Sequence, residues 1–465
     1  MKRYKFSNIV IGALLLLAFA FSSCEKWIDP DINVSENSPT DVPLNLLLPS
    51  TQASLFYVLG GDHSRAASIW MQHQAGVDRQ AGSFDTYVYV ESDPNNLYNT
   101  LSATVMKNLE VMTRKSAETN SPHYAGVTNI LAAFTLGEMT DIWGDVPYYE
   151  AFKADLTGNR TPKYDTQEKL YGTIDSLLNS GITHLQAATS VFSPTATADL
   201  IYRGDRTKWR KLAWTLKLRY KLHAAKRGGY AAATAVLNDN TAIFIDANAN
   251  DFQFKFGTAG VERGPRYNFE SSRGDCRSGK FLVDLMNSTS DPRRSAYFTQ
   301  VGGAYVGSGP GEFKTAASKM APFYGAMDAI VPVVTYVEYK FIEAELKFRA
   351  NDLIGAANAY NAAVIASLAK HNVTADQNWL TANASETAGS ITLAKIMTGK
   401  YVGLYLQTEV FSDWRRTGIP TLPLAKNAVE TQIPRRYPYP LNERLYNPNT
   451  PSGLKITDRV WWDAQ

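Results

Sequence analysis

The chain has 465 residues, 45% of them hydrophobic, and a formal charge of +3. That size and apolar content are ordinary for a globular protein with a sizeable core. The first 23 residues hold three bases (Lys2, Arg3 and Lys5) and no acid, so the remainder carries 3 − 3 = 0. A neutral body gives no electrostatic case for nucleic acid or an anionic membrane surface.

The basic start is followed by an uninterrupted apolar run over residues 9–21 and then by Ser22, Ser23 and Cys24. Such a run is too short for a hydrocarbon core that needs about 20 residues, but it suits an export signal. With the thiol placed where the small residues end, residues 1–23 read as a lipoprotein signal and Cys24 as the lipidated residue. Phe21 departs from the Leu usual three positions before such a cysteine. Only Cys276 remains besides Cys24, so an acylated Cys24 leaves no intrachain disulfide and stability must come from burial.

Residues 24–49 are rich in Pro, Asn, Asp and Ser and read as a tether, with one domain expected over 50–465. Helices are predicted over 124–143, stopped by Gly144; over 166–188; and over 207–227, stopped by Gly228 and Gly229. Alternation of Phe252, Phe254 and Phe256 predicts a short strand. Two further helices, 335–350 and 353–370, break at Asn351 and Asp352, and a long final helix is predicted over 391–417. Residues 76–99, 249–275 and 297–332 read as irregular, Gly- and aromatic-rich stretches. Ala344, Ala356 and Ala363 have the small-residue spacing of a tetratricopeptide unit, in which two helices pack closely. The fold class is therefore mainly α: a tetratricopeptide-like helical-repeat scaffold with long irregular loops and minor β hairpins.

Five motifs carry a resemblance. Residues 141–147 (Asp-Ile-Trp-Gly-Asp-Val-Pro), Asp291-Pro292-Arg293 and Glu343-Ala344-Glu345-Leu346 are three of them. The others are residues 414–420 (Trp-Arg-Arg-Thr-Gly-Ile-Pro) and the run from Ile433 through Arg435, Arg436, Tyr437 and Pro438 to Glu443 and Asn447. In this order, behind a lipoprotein signal, they resemble the SusD/RagB outer-membrane lipoproteins of Bacteroidetes, closest to SusD-like family 2. The resemblance implies a four-unit tetratricopeptide-like scaffold whose loops form a ligand face. It also implies a cell-surface, lipid-anchored location in the outer membrane and a partnership with a SusC-like TonB-dependent transporter. The motifs themselves have structural readings: Gly144 ends a helix, Asp291-Pro292 starts a turn, and Arg415 and Arg416 meet carbonyls at a helix end.

No catalytic signature is present in the sequence. The six His form no His-x-x-x-His pair, there is no Gly-x-Ser-x-Gly elbow, and residues 307–311 (GSGPG) lack the Lys-Ser/Thr of a phosphate loop. Neither metal nor cofactor is expected. A glycosidase carboxylate pair leaves no sequence spacing, so an exported glycoside hydrolase stands as an alternative to a binding protein. Peptide cargo, which the RagB side of the family implies, stands as another.

Sugar recognition calls for flat aromatic rings and paired hydrogen bonders. Two stretches have that makeup. One runs over residues 70–98 with Trp70, Gln74, Asp78, Arg79, Phe84, Tyr87, Tyr89, Asn96 and Tyr98. The other holds Arg266, Tyr267, Phe269 and Arg273, with Phe323 and Tyr324 further on. The expected ligand contacts are Trp70, Asp78, Arg79, Tyr87, Tyr89, Tyr98, Arg273 and Tyr324. An oligosaccharide is the expected ligand. The competing reading of Tyr87 and Tyr89 is that they alternate along a buried strand.

Overall fold

A computed structural model describes residues 42–464; Cys24 and the signal junction lie outside them. The frame is built by α1 Leu44–Val58, α2 Ser64–Trp70, α3 Lys107–Glu118, α4 Pro122–Trp143, α5 Gln167–Gln186, α6 Arg206–His223, α7 Tyr336–Arg349, α8 Leu353–Lys370, α9 Leu393–Gly403 and α10 Glu409–Thr417. From Leu44 onward the chain is one unit. Among the described residues no helix is long and apolar enough to cross a membrane.

Local chemistry sets the helix ends. α4 starts with Pro122 in its first turn, where the missing N–H costs nothing, and stops at Gly144 with φ +82°. Side chains of Asp205, Thr335 and Asp352 cap the first turns of α6, α7 and α8 by accepting from backbone N–H groups. α1 begins at Leu44, inside the segment expected to be tether through 49. Burial of Leu44, Leu47, Leu48, Leu55 and Phe56 offsets the hydrogen bond that Pro49 cannot make.

The expected helix over 391–417 is two helices. Between α9 and α10 the chain turns at Leu406, φ +62°, because this segment is held from outside the helix. The Leu406 N–H meets His73 Nδ1 at 3.1 Å, its carbonyl accepts from Ser64 Oγ at 2.8 Å, and Tyr405 stacks on Tyr297 with centroids 4.4 Å apart. The stretch 76–99 is not irregular throughout either. It contains the helices Arg79–Asp85 and Asn95–Asn99, and beside it β1 Gln74–Gly76 pairs antiparallel with β3 Cys276–Ser278. The Phe252, Phe254, Phe256 alternation does form a strand: β2 Phe252–Lys255 pairs antiparallel with β4 Ile330–Val334, and all three rings are buried.

Small residues set how closely the helices pack. A Cβ added at Gly126 of α4 would lie 2.6 Å from Leu185, and one at Gly181 of α5 would lie 2.7 Å from Ile130. α7 and α8 form a second tight hairpin in which Ala344, Ala356 and Ala363 have no exposed surface. Larger side chains at any of these positions would push the backbones apart.

The sequence motifs converge in the core. Asp141 accepts from Tyr171 Oη at 2.5 Å and from the Trp462 indole at 2.8 Å, while Trp143 Nε1 donates to the Pro438 carbonyl at 2.9 Å. Arg415 donates to the carbonyls of Asp141 (2.6 Å) and Arg435 (2.9 Å). It therefore closes the end of α4 and only weakly its own helix. Arg416 binds no carbonyl there and instead pairs with Glu345 and Asp413. Asp291 holds Arg293, which also reaches Ser367 of α8 at 3.0 Å.

Candidate ligand-binding site

The last turn of α1 and two π-helical segments shape an open groove. Leu59–His63 follows α1, and Thr100–Met106 follows the helix Asn95–Asn99. Wider turns of this kind displace side chains from the ordinary helical register and often occur at functional sites. They bring Gly61 and Asp62 to one wall, and Thr100 and Thr104 to another. The groove consists of two adjoining hollows of about 750 and 400 Å³ that share Tyr57, Val58 and Asn96.

Tyr57 stands at the junction, 44% exposed. Its ring meets Phe256 edge-on with centroids 6.2 Å apart, and its hydroxyl accepts from Asn268 Nδ2 at 3.4 Å. Around it the polar side chains are already held. Asp62 accepts from Asn96 Nδ2 at 2.5 Å and from Arg65 Nη2 at 2.7 Å, and Gln80 donates to Asp93 at 3.1 Å. The Arg65 guanidinium lies 4.0 Å from the Phe269 ring centroid. An aromatic ring beside fixed donors and acceptors matches the apolar faces and hydroxyl rims of a sugar, and little side-chain freedom is left to lose on binding.

Only part of the expected contact set reaches this groove. Arg273 lines it, exposed, with its guanidinium 5.8 Å from the Phe269 centroid. Asp78 and Arg79 are surface residues at its margin, and both are engaged. Asp78 caps the helix Arg79–Asp85; Arg79 pairs with Asp275 and donates to the Arg273 carbonyl at 2.5 Å.

The five expected aromatics are core. Trp70 is fully buried; its indole donates to the Phe84 carbonyl at 3.2 Å and its ring packs on Tyr89 and Tyr437 at 5.2 and 5.1 Å. Tyr98 packs edge-on against Trp143, 5.1 Å away. Tyr87 is 2% exposed and accepts from the Ala425 N–H at 3.1 Å; burial pushes its phenol up to about 12. Tyr324 lies under Tyr297 and Tyr405, 2.8 Å from His371 Nε2. None of these rings is placed to stack on a ligand at the surface. Tyr87 and Tyr89 are indeed buried, but Tyr87 sits in a turn and Tyr89 in the irregular segment after it, not in the strand that alternation suggested.

Tyr57, Asp62 and Arg65 escaped the sequence reading. Polar and apolar residues are scattered round α1, and Thr51 and Gln52 are buried with the leucines, so no stripe marks Tyr57 as its solvent-facing position. The adjacent Gly60-Gly61 pair was the available signal. At both positions an added Cβ would come within 3.1 Å of Val331 or Pro265, a close approach that brings the helix Pro265–Ser272 up to the groove. Among the described residues no cluster of three or more His, Cys, Asp or Glu is arranged to hold a metal ion.

A family model for SusD-like proteins, described as starch-binding and associating with the outer membrane, matches residues 36–440. No curated protein matches the sequence at a significant level. Among solved structures, a chitin-binding protein aligns with TM-score 0.75 at 24% identity, covering 90% of this chain and 100% of its own. A chitin-binding SusD homolog from Flavobacterium johnsoniae gives 0.75 at 20% identity, covering 90% and 98%. A SusD/RagB family protein from Bacteroides thetaiotaomicron gives 0.72 at 22% identity, covering 91% and 99%. At these identities the structures establish a shared helical-repeat fold.

Proposed function

The chain belongs to SusD-like family 2, and from that premise we propose that it is a cell-surface lipoprotein that captures oligosaccharide in the Tyr57 groove and passes it to a SusC-like TonB-dependent transporter. The observation that carries the binding step is Tyr57 itself. It is a large exposed ring in a groove whose neighbours Asn96, Asp62, Arg65 and Asn268 are held by hydrogen bonds or aromatic contact. The family description, starch-binding with outer-membrane association, and the chitin-binding neighbours support a glycan over a peptide.

Attachment runs through acylated Cys24, since two or three acyl chains at about 0.8 kcal/mol per buried CH₂ hold where one is marginal. Cys24→Ala should lose labelled fatty acid and membrane retention; retention of that variant contradicts the anchor.

The test of the function is incubation of the signal-free protein with a glycan panel containing starch and chitin oligosaccharides. Saturable binding without new reducing ends is expected. Released product would identify a hydrolase, and binding to a peptide panel alone would move the cargo to peptides. Co-purification of the lipidated protein with a TonB-dependent transporter from outer membranes tests the transfer step.

A further inference from the structure

One end of the groove carries more positive charge than its own acids balance. The segment 263–277 holds Arg263, Arg266, Arg273 and Arg277 against Glu270 and Asp275, in a chain whose body is neutral overall. Phe269 is the centre of this end: Arg65 and Arg273 both stand over its ring, at 4.0 and 5.8 Å. A pit of about 20 Å³, room for one water molecule, shares Arg65 and Phe269 with the groove and adds Arg266 and Glu270.

The local ion pairs leave a surplus. Asp62 is taken by Arg65, and Asp275 by Arg79. Arg266 is buried with neutral partners only, Ser64 Oγ at 3.3 Å and the carbonyls of Leu406 and Ile330 at 3.2 and 3.4 Å; its Nε has none. Buried charge of this kind is rare without a counter-ion. Arg65 Nε is likewise unpartnered. Arg273 is exposed at the rim and has no ion-pair partner among the described residues. Glu270 lines the pit, and burial holds its carboxyl above the usual range, which favours the uncharged form.

A planar guanidinium with free N–H groups is matched by a carboxylate, which it can bind through two parallel hydrogen bonds. Resting on the reading that the groove binds oligosaccharide, we propose that its Phe269 end takes the carboxylate of a uronic acid. Arg273 is the bidentate partner, Arg266, which has no counter-ion, supplies the surrounding positive field, and the ligand is an acidic oligosaccharide.

Calorimetric titration with oligogalacturonides and oligoalginates, each beside its methyl-esterified counterpart, tests this. The esters keep the sugar and remove only the charge. The acidic form of at least one series should bind tenfold or more tightly than its ester, and the advantage should shrink with added salt. Arg273→Gln should erase the difference while leaving the melting temperature unchanged. Equal binding of acid and ester in both series, or tighter binding of neutral chito- or malto-oligosaccharides than of any uronate, overturns the proposal. If neutral oligosaccharides bind and Tyr57→Ala weakens them, the glycan-binding function survives that failure. If no oligosaccharide of either kind binds, both readings fall together.

Discussion

Arg416 and Glu345 form a two-point ion pair from which solvent is wholly excluded: both side chains are 0% exposed, and Nη1 and Nη2 each lie 2.5 Å from a carboxylate oxygen. The pair ties α10 to the repeat hairpin α7–α8, and Asp413 and Lys400 extend it. Because two charges have left water, removing either one leaves the other buried with only its secondary partner, Asp413 for Arg416 and Arg349 for Glu345. Glu345→Gln and Arg416→Met should each cost about 3–5 kcal/mol in equilibrium urea unfolding. Replacing both by apolar residues of similar volume should recover much of the loss. A single variant as stable as the parent would mean that the pair is not formed in solution.

The repeat hairpin makes a second prediction. Ala356 and Ala363 of α8 are fully buried, so Ala356→Phe or Ala363→Leu must displace a neighbouring element. Overpacking of this kind costs typically 1–3 kcal/mol. Thermal melting of the variants checks it; an unchanged transition would contradict the close crossing.

The buried histidines give stability a pH dependence on both sides. Burial alone would lower the pKa of His223, but Glu409 at 2.8 Å and Asp141 at 3.1 Å outweigh it and raise the value to about 9. His223 therefore holds its proton more tightly folded than unfolded. Its contribution is complete below about pH 6.5 and is lost as pH rises through about 9. His73 behaves oppositely: burial lowers it to about 3, so its contribution is present above about 6.5 and is lost as pH falls toward 3. Urea unfolding between pH 5 and 9.5 should show decline at both ends. His223→Gln should flatten the alkaline limb; His73→Gln should flatten the acid limb only in part, because burial lowers His371 to about 3 as well.

Trp70 and Tyr89 should behave as core residues. Trp70→Ala removes a fully buried indole and should cost about 3–5 kcal/mol. Tyr89→Ala should likewise act through stability, with any loss of glycan binding following the loss of fold. A Tyr89→Ala protein that melts like the parent but no longer binds would return this ring to the ligand face.

Much of the scaffold is legible in the sequence because its signals are local. The α4 to α6 helices carry their own helical periodicity, Gly144 marks the end of α4, and the α7–α8 break is marked by Asn351 and the capping Asp352; α6 stops at His223, short of the expected Gly228-Gly229. The α9–α10 break is not legible, since His73 and Ser64, more than 300 residues away in the chain, hold it open. The same applies to the aromatics of residues 70–98. Ligand stacking and core packing use the same residue types, and what decides between them is Tyr437, which closes on Trp70 and Tyr89 from the far end of the chain. Arg273 is reached because the Arg and aromatic makeup of residues 266–273 is a local signal, and the structure sets it on the lining of the groove. Tyr57 is missed because its exposure depends on where the π-helical turn after α1 sends the chain.

The measurement that bears most directly on the account is a paired titration and melt of Tyr57→Ala against the oligosaccharide that the parent binds most tightly. Loss of a central aromatic anchor should cost at least about 1–2 kcal/mol of binding, a factor of roughly 5–30 in Kd. The melting temperature should stay at the parent value, because the ring is 44% exposed and contributes little to the core. Parent-like affinity in a folded Tyr57→Ala protein would place the ligand elsewhere and contradict the assignment of this groove.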